Sequence, residues 1–109
     1  MTLRTFTTVG LFTALAALAL PSFAEGDATA GKGKTAMCAG CHGTPGFRTA
    51  YPETYHVPKL GGQNAAYIVS ALKAYKVGDR SHPTMKAIAA SLSEQDMADL
   101  AAYYSAAAK

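Results

Sequence analysis

Tryptophan is absent from this 109-residue chain, and beyond residue 24 Phe47 is the lone phenylalanine. A domain this small buries a limited core and usually needs a disulfide, metal or cofactor to hold it. Without large aromatic hydrocarbons, something other than side chains is expected to fill the centre. Cysteine is confined to Cys38 and Cys41, which excludes a multi-disulfide scaffold. Charged residues make up 16% of the chain and form no basic run, which argues against a nucleic-acid partner. The alternation of a half-buried strand is found nowhere, so no sheet is expected. Beyond the N-terminal region, no stretch approaches the roughly 20 apolar residues that span a bilayer.

In that N-terminal region Arg4 precedes an apolar run, Val9 to Leu20, and Pro21-Ser22-Phe23-Ala24 follows. A basic start, an apolar run of about 7–15 residues and small residues at Ser22 and Ala24 describe a secretory signal peptide cleaved after Ala24. An uncleaved anchor is the competing reading, but the run is short for it. Residues 1–24 are therefore expected to be the signal peptide, and residues 25–109 a single domain in the periplasm. Half of the chain is hydrophobic, a foldable composition and not a disordered one. Of the ten Lys and Arg, all but Arg4 remain after cleavage; nine against seven Asp and Glu leave a net charge of +2.

The rest reads as helices. Asp27 or Thr29 can cap a first helix running through Ala30, Lys34 and Met37 to the cysteines. Gly31 and Gly33 weaken it by about 1 kcal/mol each relative to Ala, which points to another backbone packed closely against it. Residues 43–56 lack a helical period and read as a loop, and Pro58 keeps Val57 extended. Asn64 caps a second helix in which Ala65, Ile68, Val69, Leu72 and Tyr75 recur at helical spacing, and Gly78 ends it. Residues 80–85 form a loop ahead of a short helix, Lys86 to Ala90. Ser93 and Asp96 look like a capping box opening a last helix to about Ala107, with Met97, Leu100, Ala101 and Tyr104 as its apolar stripe. The fold class is all-α, three to five helices around a cofactor.

The chemistry is concentrated in Cys38-Ala39-Gly40-Cys41-His42. A C-x-x-C-H run is a haem c attachment signal. Two thiols spaced on one helical turn add to the vinyl groups at one porphyrin edge, and the imidazole that follows is the proximal iron ligand. Three other readings compete. A thioredoxin-like centre needs a βαβ pattern. A zinc site needs a second ligand pair, for which His56 and His82 have no common spacing. A structural disulfide would leave His42 without a role.

The ordered set Gly31-Lys32, Cys38 to Gly43, Pro58-Lys59-Leu60-Gly61-Gly62-Gln63, Tyr67 with Leu72, Tyr75 and Gly78, then Met85, Leu92-Ser93 and Leu100 to Tyr104 resembles the small bacterial class I cytochromes c. The resemblance covers the whole mature chain. It implies the cytochrome c fold around one covalent haem c, with the first and last helices crossing near Gly31 and Tyr103. It implies that Cys38, Cys41, His42, Pro58, Leu60 and Met85 bind the cofactor, with His42 and Met85 on the iron. The Pro58 carbonyl would accept a hydrogen bond from the other nitrogen of His42. Leu60, Ile68, Leu72, Tyr75, Leu100 and Tyr103 would line or buttress the pocket. Thr35 departs from the pattern, which often has an aromatic residue there, and residues 44–57 carry no family signature. Of the other groups able to bind iron, Met37 sits beside the attachment helix, Met97 lies on an apolar stripe, and His56 and His82 are loop histidines. Met85 follows Pro83 in a flexible setting. Tyr51, Tyr55 and Tyr75 are candidates for hydrogen-bonding a haem propionate.

With six iron positions filled, the expected function is a periplasmic carrier of single electrons, not an enzyme. It would work between redox partner proteins, as a monomer or as a subunit of a redox complex, with no nucleic acid and no stable membrane insertion after signal cleavage. The competing functions are a haem c subunit of a larger periplasmic oxidoreductase and a gas-binding or sensor haem protein with a vacant sixth site. Charge is uneven. Residues 59–86 carry Lys59, Lys73, Lys76, Arg80 and Lys86 against Asp79, for +4; residues 87–109 carry Lys109 against Glu94, Asp96 and Asp99, for −2. A positive collar would steer an acidic partner to the haem edge; ordinary solvated surface charge is the plain alternative.

Overall fold

The structure, a computed structural model, describes residues 25–50 and 54–107. The expected signal peptide, Tyr51 and Lys109 lie outside the described residues. Among the described residues five helices follow one another: α1 (Ala28–Gly33), α2 (Ala36–His42), α3 (Ala65–Val77), α4 (Pro83–Ala90) and α5 (Glu94–Ala106). The all-α class holds, with one correction. The stretch read as loop contains a small antiparallel ladder of β1 (Arg48–Thr49) and β2 (Tyr55–His56), with Arg48 opposite His56 and Thr49 opposite Tyr55. Strands this short show no period of two, so pattern reading passes over them.

A second correction is that the expected first helix is two. Lys34 N–H turns back to Gly31 O at 3.0 Å, and Thr35 Oγ1 donates to Lys32 O at 2.9 Å. Side-chain bonds of this kind compete with the helical ladder, and the glycines beside them give that ladder little resistance.

α1 packs across α5. A Cβ on Gly31 would collide with the Asp99 carbonyl and stand 2.9 Å from Tyr103 Cβ, so glycine alone lets the two backbones come this close. Asp99, only 3% exposed, closes the crossing. Its Oδ1 accepts from Asp27 N–H at 2.9 Å and from Gln95 Nε2 at 2.8 Å; its Oδ2 accepts from Lys34 Nζ at 2.6 Å. Lys34 also meets Asp96 at 2.8 Å. The Lys34 ammonium first, then the Asp27 amide and Gln95, hold the Asp99 carboxyl at about 2, below its ordinary 3.8. Asp99 is thus a buried tie between the two ends of the domain and not a solvated surface charge.

Gly31→Ala tests the crossing. Helix propensity alone favours Ala by about 1 kcal/mol. Against it stands a clash with backbone that no rotamer relieves, at about 1–3 kcal/mol or more. The clash is expected to win, lowering the denaturation midpoint, whereas Gly33→Ala, whose Cβ meets nothing within 4 Å, should raise it. Equal midpoints for the two variants would show that the helices do not touch at Gly31.

Leu92, Met97 and Leu100 form the centre of the core, with Cys38, Leu72 and Tyr104 packed against it. α3 starts at Asn64, whose Oδ1 accepts from Tyr67 N–H at 3.0 Å, and stops at Gly78, which takes the left-handed φ of 95°. The capping box at α5 is complete: Ser93 Oγ accepts from Asp96 N–H at 3.0 Å, and Asp96 Oδ2 from Ser93 N–H at 2.9 Å. α4 begins at Pro83 and not at Lys86, so Met85 stands in its first turn and not in a loop. Proline suits the first helical position, where its missing N–H would be unpaired anyway. The cap is His82. Imidazole is outside the usual set of capping side chains, which hid this start from pattern reading.

Candidate functional site

Helices α2 to α5 and the ladder surround a cavity of about 440 Å³, within the range of cofactor sites. α2 contributes Cys38, Cys41 and His42 to its wall, and the following loop Pro58 and Leu60. Residues three and four apart share one helix face, which is why the three α2 groups arrive together. α3 adds Ile68, Leu72 and Tyr75; α4 adds Met85 and Ile88; α5 adds Leu100 and Tyr104.

His42 Nδ1 lies 2.7 Å from Pro58 O. A carbonyl can only accept, so the proton is on Nδ1 and the free electron pair on Nε2. The Pro58 stretch is itself fastened, because Gly62 N–H donates to Tyr104 O at 2.8 Å.

The two cysteines are not joined to each other. Burial pushes the Cys38 thiol above its ordinary 9.0, with the Tyr104 hydroxyl pulling weakly the other way. A nucleophilic or redox-active thiol needs the opposite shift. Burial also pushes the Tyr104 phenol up to about 12, so it stays neutral beside Cys38. Among the described residues no three His, Cys, Asp or Glu side chains gather as a metal site, so the zinc reading finds no second ligand pair. Largely apolar walls, two thiols on one helical turn, an imidazole with its electron pair free and a thioether on another element form a donor set that fits haem c.

Met97 is 1% exposed, in the core. Met37 borders the cavity from α2, the element that carries His42. His56 and His82 also border it. His82 Nδ1 accepts from Met85 N–H at 3.3 Å. The proton of a neutral ring in that bond is on Nε2, which removes the electron pair an iron ligand would offer.

Tyr103 does not line the cavity. It packs beside Gly31 and edge-on to Tyr104, ring centroids 5.1 Å apart, so it buttresses the wall that Tyr104 forms. The helical stripe of Met97, Leu100 and Tyr104 was the signal for that wall. Arg80 was unremarked as a site residue: its guanidinium lies 4.8 Å from the Tyr75 ring centroid at the cavity border. Two members of the expected positive collar are tied to the start of α5. Lys73 pairs with Glu94 at 3.2 Å, and Lys76 Nζ donates to Leu92 O at 2.5 Å. Lys59 and Arg80 border the cavity.

Residues 28–106 match the family model for cytochrome c. The chain is 46% identical over 83 residues to cytochrome c-554(548) of Halomonas halodenitrificans, an alignment covering 73% of this chain and 95% of that protein. It is 41% identical over 81 residues to cytochrome c4 of Pseudomonas aeruginosa, covering 74% of this chain and 38% of that one. The crystal structure of reduced recombinant cytochrome c4 from Pseudomonas stutzeri is similar at a TM-score of 0.61 and 37% identity, over 76% of this chain and 46% of that chain. The chain therefore spans less than half the length of those cytochromes c4 and nearly all of cytochrome c-554(548).

Proposed function

This chain belongs to the cytochrome c family, electron carriers with a covalent haem c, and on that premise we propose that it works in the periplasm with His42 and Met85 as its two axial ligands. The supporting observation is the cavity that gathers Cys38, Cys41, His42 and Met85. Bound haem supplies a one-electron ferric/ferrous couple. The chain's own residues do the remaining work. Cys38 and Cys41 anchor one edge as thioethers. Pro58 O orients the His42 ring and raises the basicity of Nε2. The Met85 thioether favours the reduced state and raises the potential. Leu60, Ile68, Leu72 and Leu100 exclude water. With His42 and Met85 both holding the iron, no substrate would reach it, and the chain would pass electrons without a turnover of its own. Residues 1–24 direct export, and no helix among the described residues is long and apolar enough to cross a membrane.

Its partners are redox proteins that meet the rim of the cavity. Holoprotein released with the periplasm should exchange electrons with an acidic redox partner at a second-order rate that falls as ionic strength rises, since steering is screened over about 8–10 Å. Lys59→Glu and Lys86→Glu should each lower that rate by roughly two- to tenfold at low salt, with little change in potential. Lys76 is a poor probe, because reversing it also breaks its bond to Leu92 O. A rate indifferent to salt and to both reversals would assign docking to apolar contact around the rim.

A further inference from the structure

We propose that His82 is the positioning residue for the methionine ligand: as the cap of α4, its imidazole holds the backbone of Met85 at the cavity wall. The proposal rests on Met85 as the sixth ligand and concerns what keeps it in place. The first turn of a helix leaves its amides without helical partners. In α4 the first of these is removed by Pro83, which has no N–H. The amide of Met85, third in the helix, donates to His82 Nδ1 at 3.3 Å. The next amide, that of Lys86, makes the first helical bond, to His82 O at 2.9 Å. One residue therefore pins the peptide groups on both sides of the Met85 Cα.

The ring is in turn held from outside the helix. It packs on Tyr55 with centroids 5.1 Å apart and planes at 54°. Tyr55 N–H donates to Thr49 Oγ1 at 3.2 Å, within the ladder. Contacts thus run from the ladder through Tyr55 and His82 to Met85. His82 has the extended backbone of an N-cap, at φ −162° and ψ 109°. A serine or aspartate there could accept the same amide, but it could not also set a ring against Tyr55. Without the cap, the first turn frays, and the thioether it carries leaves the wall more often.

The test compares holoproteins at one neutral pH by two readouts: the far-red sulfur-to-iron band of the ferric form and the rate of carbon monoxide binding to the ferrous form. His82→Ala should weaken the band and raise the carbon monoxide rate by about 2- to 30-fold, the range that loss of an N-cap covers. His82→Asn keeps an acceptor for the Met85 amide and should return the rate to within about twofold of wild type. Gly26→Ala, whose Cβ would meet the Ala98 carbonyl on α5 away from the cavity, should leave band and rate unchanged and so controls for general loosening. If Met85→Ala opens the site while His82→Ala behaves as wild type, the positioning role is wrong and the ligand assignment stands. His82→Asn as open as His82→Ala would also overturn it, because the hydrogen bond would then not be the cause. A band and a carbon monoxide rate unaltered by Met85→Ala would overturn the ligand assignment and the positioning role together.

Discussion

Replacing Cys38 and Cys41 together by alanine is expected to leave no accumulated protein in the periplasm. The buried apolar core is small, centred on Leu92, Met97 and Leu100. Beside it lies a cavity of about 440 Å³. At about 24 cal/mol per Å³, leaving that volume empty costs up to about 10 kcal/mol, less whatever the walls recover by closing. Whole domains have only about 5–15 kcal/mol of stability. Loss of the haem therefore removes the margin on which folding depends. In the unaltered protein, the mass should be that of residues 25–109 plus one haem, and the colour should survive denaturation. Haem passing into acid-acetone would show that no thioether holds it, and attachment through these cysteines would be wrong.

Met85→Ala is expected to have the largest effect on the iron itself. Ferrous wild-type protein should bind carbon monoxide poorly, and the variant readily. Its reduction potential should fall by on the order of 0.2 V, within the roughly 0.8 V range over which axial ligands set haem potentials. The ferric far-red band should vanish. Met97→Ala is the informative contrast. Met97 is 1% exposed and sits in the core, so its loss should cost about 2–5 kcal/mol of stability while the band remains. Wild-type protein that binds carbon monoxide as fast as Met85→Ala would have an open sixth position, and its function would move to gas binding.

Most expectations that matched the structure have energetics that lie within a few residues; the family resemblance added two distant ones, the crossing at Gly31 and Tyr103 and the bond between His42 and the Pro58 carbonyl. The Asn64 cap, the Gly78 stop and the reciprocal bonds of Ser93 and Asp96 each involve groups three or four positions apart. Such geometry follows from the helix alone. The expectations that needed correction turned on side-chain bonding and packing that apolar periodicity does not encode. The break between α1 and α2 comes with Thr35 bonding to the Lys32 carbonyl, and Thr35 was read only as a missing aromatic. The α4 start was missed because a histidine performs the capping. Tyr103 and Tyr104 are adjacent and chemically alike; the close approach of Gly31 to α5 decides which of them faces the cavity.

By itself the sequence determined the helical class and most helix ends, because side-chain caps and apolar periodicity are local properties. Tertiary structure decided most of what those pieces meet. Asp99 became a buried tie because Asp27, 72 positions away, and Lys34 arrive beside it. Lys73 is paired off within the positive collar because Glu94, at the start of α5, lies 3.2 Å from it. His82 became a cap packed on Tyr55 because β2 brings that ring beside the start of α4. The physical reason is the same in each case: a charge or a ring has no fixed role until packing sets its exposure and its partners.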